Sequence, residues 1–122
     1  MKTLQDLMDA VSEWGDKTFD NGFHTPKRSI AVSYHLQKEA KELTEALESF
    51  YKNPNCENSI KLKHEFADNL ILLVQAAKLC GFDEIQLVNS GFEKLEICKG
   101  RKWGKPDSNG VIQHIHEDET IN

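Results

Sequence analysis

Apolar residues recur every three or four positions through most of this chain, and the places where that rhythm breaks mark out four helices. Leu4, Leu7, Met8, Val11 and Trp14 follow the first rhythm, with Thr3 as N-cap and Asp6 as a first-turn acid. This predicts a helix over about residues 3–16 with Trp14 in its core stripe. From Gly15 to Pro26 the pattern gives way to Asp16, Asp20, Asn21 and Gly22, a loop in which Phe19 and Phe23 read as lids on the core. A second helix starts near Lys27 to Ser29 and carries Ile30, Leu36, Ala40, Leu43, Leu47 and Phe50 for about six turns.

Lys52 to Asn58, with Pro54, reads as a turn, and a third helix is expected from about Ser59 to Cys80, closed by Gly81. Between Asn69 and Leu79 that helix is apolar nearly all round, the mark of a central helix with neighbours on several sides. Asp83 caps a fourth helix bearing Ile85, Leu87, Val88, Phe92, Leu95 and Ile97, which ends near Gly100. Beyond it lie a short basic segment with Trp103 and, from Ser108 to Asn122, a polar tail without period, either partly disordered or docked on a partner subunit. The class is all-α.

A chain of 122 residues is one domain, long enough to bury a core unaided. No apolar run approaches the roughly 20 residues that cross a bilayer, and no signal peptide is apparent, so no membrane partner is expected. Cys56, Cys80 and Cys98 are odd in number and lack C-x-x-C spacing, which speaks against disulfides and thiolate zinc sites and for a reducing cytoplasm. A net charge of −5 has the wrong sign for coating duplex nucleic acid. A polyphosphate remains open to an acidic protein when divalent ions screen the contact.

Two acidic pairs supply the candidate chemistry. Glu39 and Glu42 lie on the second helix and Glu65 and Asp68 on the third, each pair spaced i,i+3, so both members point to one side of their helix. A single such pair is commonly a solvated face. Here Glu39 stands on the shoulder of the apolar stripe, about 60° from its centre, and Glu65 and Asp68 lead into the buried run. If the helices pack side by side, four carboxylates converge, and their repulsion calls for a hard divalent cation, Mg²⁺ or Mn²⁺. Water attack on a phosphate under paired divalent ions is the chemistry this arrangement fits, with Glu42, the least buried acid, as the expected general base. His35, one turn before Glu39, is expected either to hydrogen-bond a carboxylate or to lie in the core. His114 and His116 are expected in solvent.

With Glu39-x-x-Glu42 followed 22 residues later by Glu65-x-x-Asp68, the chain resembles the MazG-like all-α nucleoside triphosphate pyrophosphohydrolases. Trp14, Thr18-Phe19, His35-Leu36, Lys94, Arg101, Trp103-Gly104 and Pro106-Asp107 extend the likeness to the dATP/dGTP pyrophosphohydrolase-type branch over roughly residues 10–116, and small phage-encoded members are of similar build. The resemblance implies a four- to five-helix bundle over residues 1–104 with a polar tail at 105–122, assembled as a homodimer or homotetramer. It implies Mg²⁺ or Mn²⁺, two or more per site, on Glu39, Glu42, Glu65 and Asp68. Its reaction splits a nucleoside triphosphate between the α and β phosphates into a monophosphate and pyrophosphate. Lys94 and Arg101 match the residues that hold the triphosphate, and His35 and Trp103 join them as substrate-binding candidates. Trp103 stacks on a base or packs under a neighbouring subunit, and both readings stand. The family commonly has an asparagine where this chain has Cys98.

Other readings use the same residues. A dUTP-specific relative or an alarmone hydrolase would share the carboxylate site, and a helical oligomerisation or regulatory module would carry the acids as surface decoration. No residue of the sequence alone identifies the base.

Overall fold

In a computed structural model of the chain, which describes residues 1–19 and 27–116, the described residues form four helices and no strand. These are α1 (Leu4–Thr18), α2 (Lys27–Lys52), α3 (Cys56–Leu79) and α4 (Glu84–Lys99). Phe23 lies outside the described residues. None of the described helices is long and apolar enough to cross a membrane. The chain divides into two compact units, Met1–Leu87 and Val88–Asn122.

In the first unit α1 opens on a capping box: the Thr3 hydroxyl accepts from the Asp6 N–H at 3.1 Å, and the Asp6 carboxylate accepts from the Thr3 N–H at 2.9 Å. The helix buries Met8, Val11 and Gly15, and it continues to Thr18, past the end its sequence predicts. Gly15 is not a terminator but a contact point. A Cβ there would lie 2.6 Å from Gln75 Nε2 and 3.0 Å from Arg28 Nη2, so its bare backbone lets both side chains lie against α1. Trp14 departs from expectation in consequence. It stands about 100° around the helix from Gly15, is 55% exposed, and meets Phe19 edge to face with ring centroids 5.0 Å apart.

α2 lies along α3, which also packs on α1. Ser29 and Val32 are the buried residues of α2, and the Ser29 hydroxyl donates to the Ala76 carbonyl at 3.1 Å, fastening the two helices near one end. Ile30, expected in the stripe, is 55% exposed because it sits one position beyond Ser29 and so turns away from α3. α3 begins three residues before the predicted start, since the Asn55 side chain, accepting from the Asn58 N–H at 2.8 Å, provides the cap. It ends as expected at Gly81, whose φ of 87° suits only glycine. The N–H of Phe82 reaches the Ala77 carbonyl at 3.1 Å and that of Gly81 the Lys78 carbonyl at 2.9 Å, a Schellman closure.

Leu72, Val74 and Gln75 are the buried residues of α3, and each of the two aliphatic side chains contributes about 1.5–3 kcal/mol of burial. Phe66, Leu70 and Leu73 are about half exposed. The apolar circumference of α3 therefore exceeds what α1 and α2 cover. At the start of α4, Asp83 accepts from the Gln86 N–H at 2.9 Å and the Gln86 side chain from the Asp83 N–H at 3.0 Å, the expected cap made reciprocal. The Glu84 N–H donates to the Gln5 side chain at 2.9 Å and ties this cap to α1.

The second unit comprises the rest of α4 and the segment after it, which folds back on itself. Trp103 bridges antiparallel to His114, the Gly104 N–H donates to the Gln113 carbonyl at 2.9 Å, and the Ile115 N–H donates to that of Lys102 at 2.8 Å. The Asp107 carboxylate closes the turn by accepting from the Asn109 and Val111 N–H groups at 2.8 and 2.9 Å. The Trp103 indole N–H donates to the Cys98 carbonyl at 3.0 Å, so this ring is anchored at its polar end. His114 and His116 bear on each other, ring centroids 4.1 Å apart.

Candidate metal centre and adjoining pocket

The contact between α2 and α3 brings Glu39, Glu42 and Glu65 together: one carboxylate oxygen from each lies within 4.8 Å of the other two. Glu39 and Glu65 are half-buried and Glu42 is exposed, the ranking its position on the flank of α2 predicts. Asp68 stands outside this trio and lines a cavity beside it together with Glu39. The four-carboxylate convergence expected from the spacing is thus three carboxylates in one cluster and a fourth alongside.

One side chain sets the register. The Asn69 amide donates to the Glu39 carbonyl at 3.2 Å and to the Glu65 carbonyl at 2.8 Å, joining the backbones of α2 and α3 at the two half-buried acids. The sequence reading passed over Asn69. An amide one turn after Glu65, at the entry to an apolar run, is the signal that marks it, because a polar side chain there needs a partner.

The electrostatics follow from crowding. Glu39 has its carboxyl held above the ordinary range, first by the hydrogen bond it shares with Glu42, then by burial and by the charges of Glu42, Asp68 and Glu65. Glu65 is also raised, chiefly by burial and then by Asp68, Glu42 and Glu45, with His64 opposing. His35 Nε2 lies 3.3 Å from Glu39 Oε1, so of its two expected roles it takes the one beside the carboxylate, with its ring 56% exposed. Glu39 Oε2 and Glu65 Oε2 are buried with no hydrogen-bond partner among the described residues. Two orphaned carboxylate oxygens in an all-oxygen cluster fit a hard divalent cation, for which such oxygens are the preferred ligands.

On the side of Glu39 and Asp68 the cluster borders an apolar cavity of about 350 Å³, the size of a small-molecule site. Trp14 and Phe19 form one wall, Val32 and Leu72 another, and Arg28 and Gln75 bring polar groups to it. Arg28 is fixed by Asp16 at 2.7 Å, yet its Nε and Nη2 are buried and without acceptors among the described residues. The other side of the cluster, past Glu42 and Glu65, opens on a more polar hollow lined by Lys61, His64 and Asn58. Trp14 and Phe19, predicted as core and lid, are therefore pocket walls. Arg28 is not among the residues singled out from the sequence; the signal that marks it is that Arg28, His35, Glu39 and Glu42 run along one edge of α2 at spacings of seven, four and three.

Lys94, Arg101 and Trp103 belong to the second unit. Lys94 is exposed and Arg101 half-buried, while Trp103 is 47% exposed.

Comparison with known proteins gives a consistent picture. A dATP/dGTP diphosphohydrolase of Salmonella phage PMBT28 is 30% identical over 113 residues, 93% of this chain and 32% of that protein. The chain thus spans about a third of the length of this curated relative. No solved structure matches it. The family described as dATP/dGTP pyrophosphohydrolase matches over residues 7–121, which takes in both acidic pairs, the pocket between α1, α2 and α3, and the basic segment after α4. On that match, the chain belongs to the dATP/dGTP pyrophosphohydrolase family.

Proposed function

We propose that this chain hydrolyses a purine deoxynucleoside triphosphate between the α and β phosphates, giving a nucleoside monophosphate and pyrophosphate, with Mg²⁺ or Mn²⁺ as cofactor. The observation that carries the reading is the cluster of Glu39, Glu42 and Glu65 with two buried oxygens lacking partners. Glu39 and Glu65, which carry those oxygens, would hold the cation, Glu42 would stand beside it as the base, Asp68 would complete the set from the neighbouring cavity, and two or more ions per site is the expected loading. Bound there, a divalent ion supplies charge neutralisation on the phosphate oxygens and lowers the pKa of water.

The residues of the chain do the rest. Glu42, the exposed acid of the trio, accepts the proton of the attacking water, and His35 orients Glu39 through its 3.3 Å contact. The apolar cavity takes the base against the wall that Trp14 and Phe19 form, and excludes water from it, as aromatic walls favour. For Lys94 and Arg101 the role of holding the triphosphate rests on their match to the family pattern, and Trp103 is a further substrate contact on the same ground. The half-exposed row of Phe66, Leu70 and Leu73 along α3 supports self-association as a dimer or tetramer.

Product analysis tests the reading. Incubated with each canonical deoxynucleoside triphosphate and Mg²⁺ or Mn²⁺, the protein is expected to release pyrophosphate and monophosphate from dGTP or dATP. Release of inorganic phosphate, or turnover of dUTP alone, would replace the reading with another.

A further inference from the structure

We propose that the polar hollow between α2 and α3, across the carboxylate cluster from the apolar cavity, is the subsite for the leaving pyrophosphate, with Lys61 and His64 as the side chains that hold it; this rests on the nucleotide-hydrolase reading above. The placement comes from order along the helix pair. The apolar cavity draws on α2 up to Glu39 and on α3 from Asp68 onward, whereas the hollow, about 470 Å³, draws on α2 from Glu42 to Ser49 and on α3 from Asn58 to Glu65. The trio of Glu39, Glu42 and Glu65 stands where the two spaces meet. From Glu42 to Ser49 the helix advances about 10 Å at 1.5 Å per residue, so the hollow runs on past the cluster toward the turn that joins α2 to α3.

A nucleoside triphosphate has the same order: a flat base, the phosphorus under attack, then a polyanion. With the base in the apolar cavity and the α phosphate at the carboxylates, cleavage between α and β leaves the pyrophosphate pointing into the hollow. The cations agree with this. In the apolar cavity Arg28 is tied to Asp16 at 2.7 Å with its side chain only 11% exposed, and His35 lies against Glu39. In the hollow the Lys61 side chain is 66% exposed, and its ion-pair partner, Glu57 at 3.2 Å, is more exposed still. A surface pair of this kind is weak, so the ammonium can turn to a phosphate, to which it brings three N–H donors. His64, also exposed, adds a ring N–H on the same stretch of α3. The Asn58 amide is engaged elsewhere: it donates to the Asn53 and Ser49 carbonyls at 2.9 and 3.4 Å, which ties the start of α3 to the end of α2 and bounds the hollow there. Glu42, Glu45 and Glu65 line it as well, so a bare polyanion is repelled and pyrophosphate enters only together with divalent cations.

The test is equilibrium binding, kept separate from turnover. In saturating Mg²⁺, pyrophosphate and dGMP are each titrated calorimetrically into the wild-type protein, Lys61→Met and His64→Ala. The Kd for pyrophosphate should rise about tenfold in each variant, the loss of one hydrogen bond to a charged group, while the Kd for dGMP stays that of the wild type. Glu57→Gln separates a phosphate contact from a structural ion pair: it frees Lys61 and should tighten pyrophosphate binding. Pyrophosphate affinity unchanged in either Lys61→Met or His64→Ala overturns the proposal, as do an equal loss of dGMP binding and a wild type that does not bind pyrophosphate. Turnover of dGTP or dATP alongside any of those results leaves the hydrolase reading standing without this subsite. The expected binding pattern without turnover of any triphosphate keeps the subsite and sinks the hydrolase reading. If a variant does not fold, as circular dichroism would reveal, Glu57→Gln decides: unchanged or weaker pyrophosphate binding there overturns the proposal.

Discussion

Glu39 and Asn69 are bound across two helices: the side-chain amide on α3 donates to the backbone carbonyl on α2 at 3.2 Å, and its second bond, at 2.8 Å, goes to the carbonyl of Glu65. One amide therefore sets the distance between the helices where the half-buried acids stand. Replacing Asn69 by Leu leaves both backbones without that tie. Loss of two partly buried hydrogen bonds is expected to destabilise the fold by about 1–2 kcal/mol, and Mn²⁺ affinity should fall more steeply than stability. Urea unfolding with Mn²⁺ titration on one preparation measures both, and unchanged metal affinity would show that the cluster does not depend on this bond.

Gly15→Ala probes the pocket from the opposite wall. The added methyl would lie 2.6 Å from Gln75 Nε2 and 3.0 Å from Arg28 Nη2, both ends of flexible side chains that can shift. Alanine also favours helix over glycine by up to about 1 kcal/mol, which offsets much of the crowding. Stability is thus expected to change by less than about 1.5 kcal/mol, whereas KM for the nucleotide should rise severalfold because Arg28 is displaced. A KM equal to that of the wild type would contradict the placement of the base in this cavity.

The role of Glu42 separates from that of its neighbours by substitution. Glu42→Gln preserves shape and removes the proton acceptor, so turnover should drop by a factor of about 10²–10⁴ while Mn²⁺ affinity is largely kept. If metal binding is lost instead, Glu42 is a ligand first.

Crowding of the acids makes the protein's stability depend on pH in a specific direction. Glu39 and Glu65 titrate above the ordinary carboxylate value in the folded chain, so between that ordinary value, about 4.3, and their folded values the folded state holds more protons than the unfolded. Stability therefore falls as pH rises through this window, and the full cost stands above it. Without metal, Glu39→Gln and Glu65→Gln should each raise Tm at pH 7 and lose that advantage near pH 4. A thermal melt series in chelator checks this, and a lower Tm for both variants at pH 7 would mean that repulsion is not what the cluster stores.

How much of this was readable from residues alone differs by element. The four helices, the all-α class, the caps at Thr3 and Asp83 and the closure at Gly81 follow from local patterns, because a cap or a positive φ is decided by a few neighbouring groups. The convergence of Glu39, Glu42 and Glu65 was also legible, since i,i+3 spacing fixes a helix face and the apolar stripe fixes what that face meets. Trp14 and Gly15 were not. Their roles depend on Arg28 and Gln75, which approach from other helices, and no local rule tells a helix-ending glycine from one that admits a neighbour. Asp68, expected in the same set, lines the cavity beside the trio together with Glu39, and how near it comes depends on how deeply α2 and α3 interlock.

The direct test of the carboxylate cluster is Mn²⁺ binding by titration calorimetry at pH 7 to the wild-type protein and to Glu39→Gln and Glu65→Gln. The wild type should bind Mn²⁺, and each variant, still folded by circular dichroism, should lose most of that binding. Variants that take up Mn²⁺ as the wild type does would contradict the account.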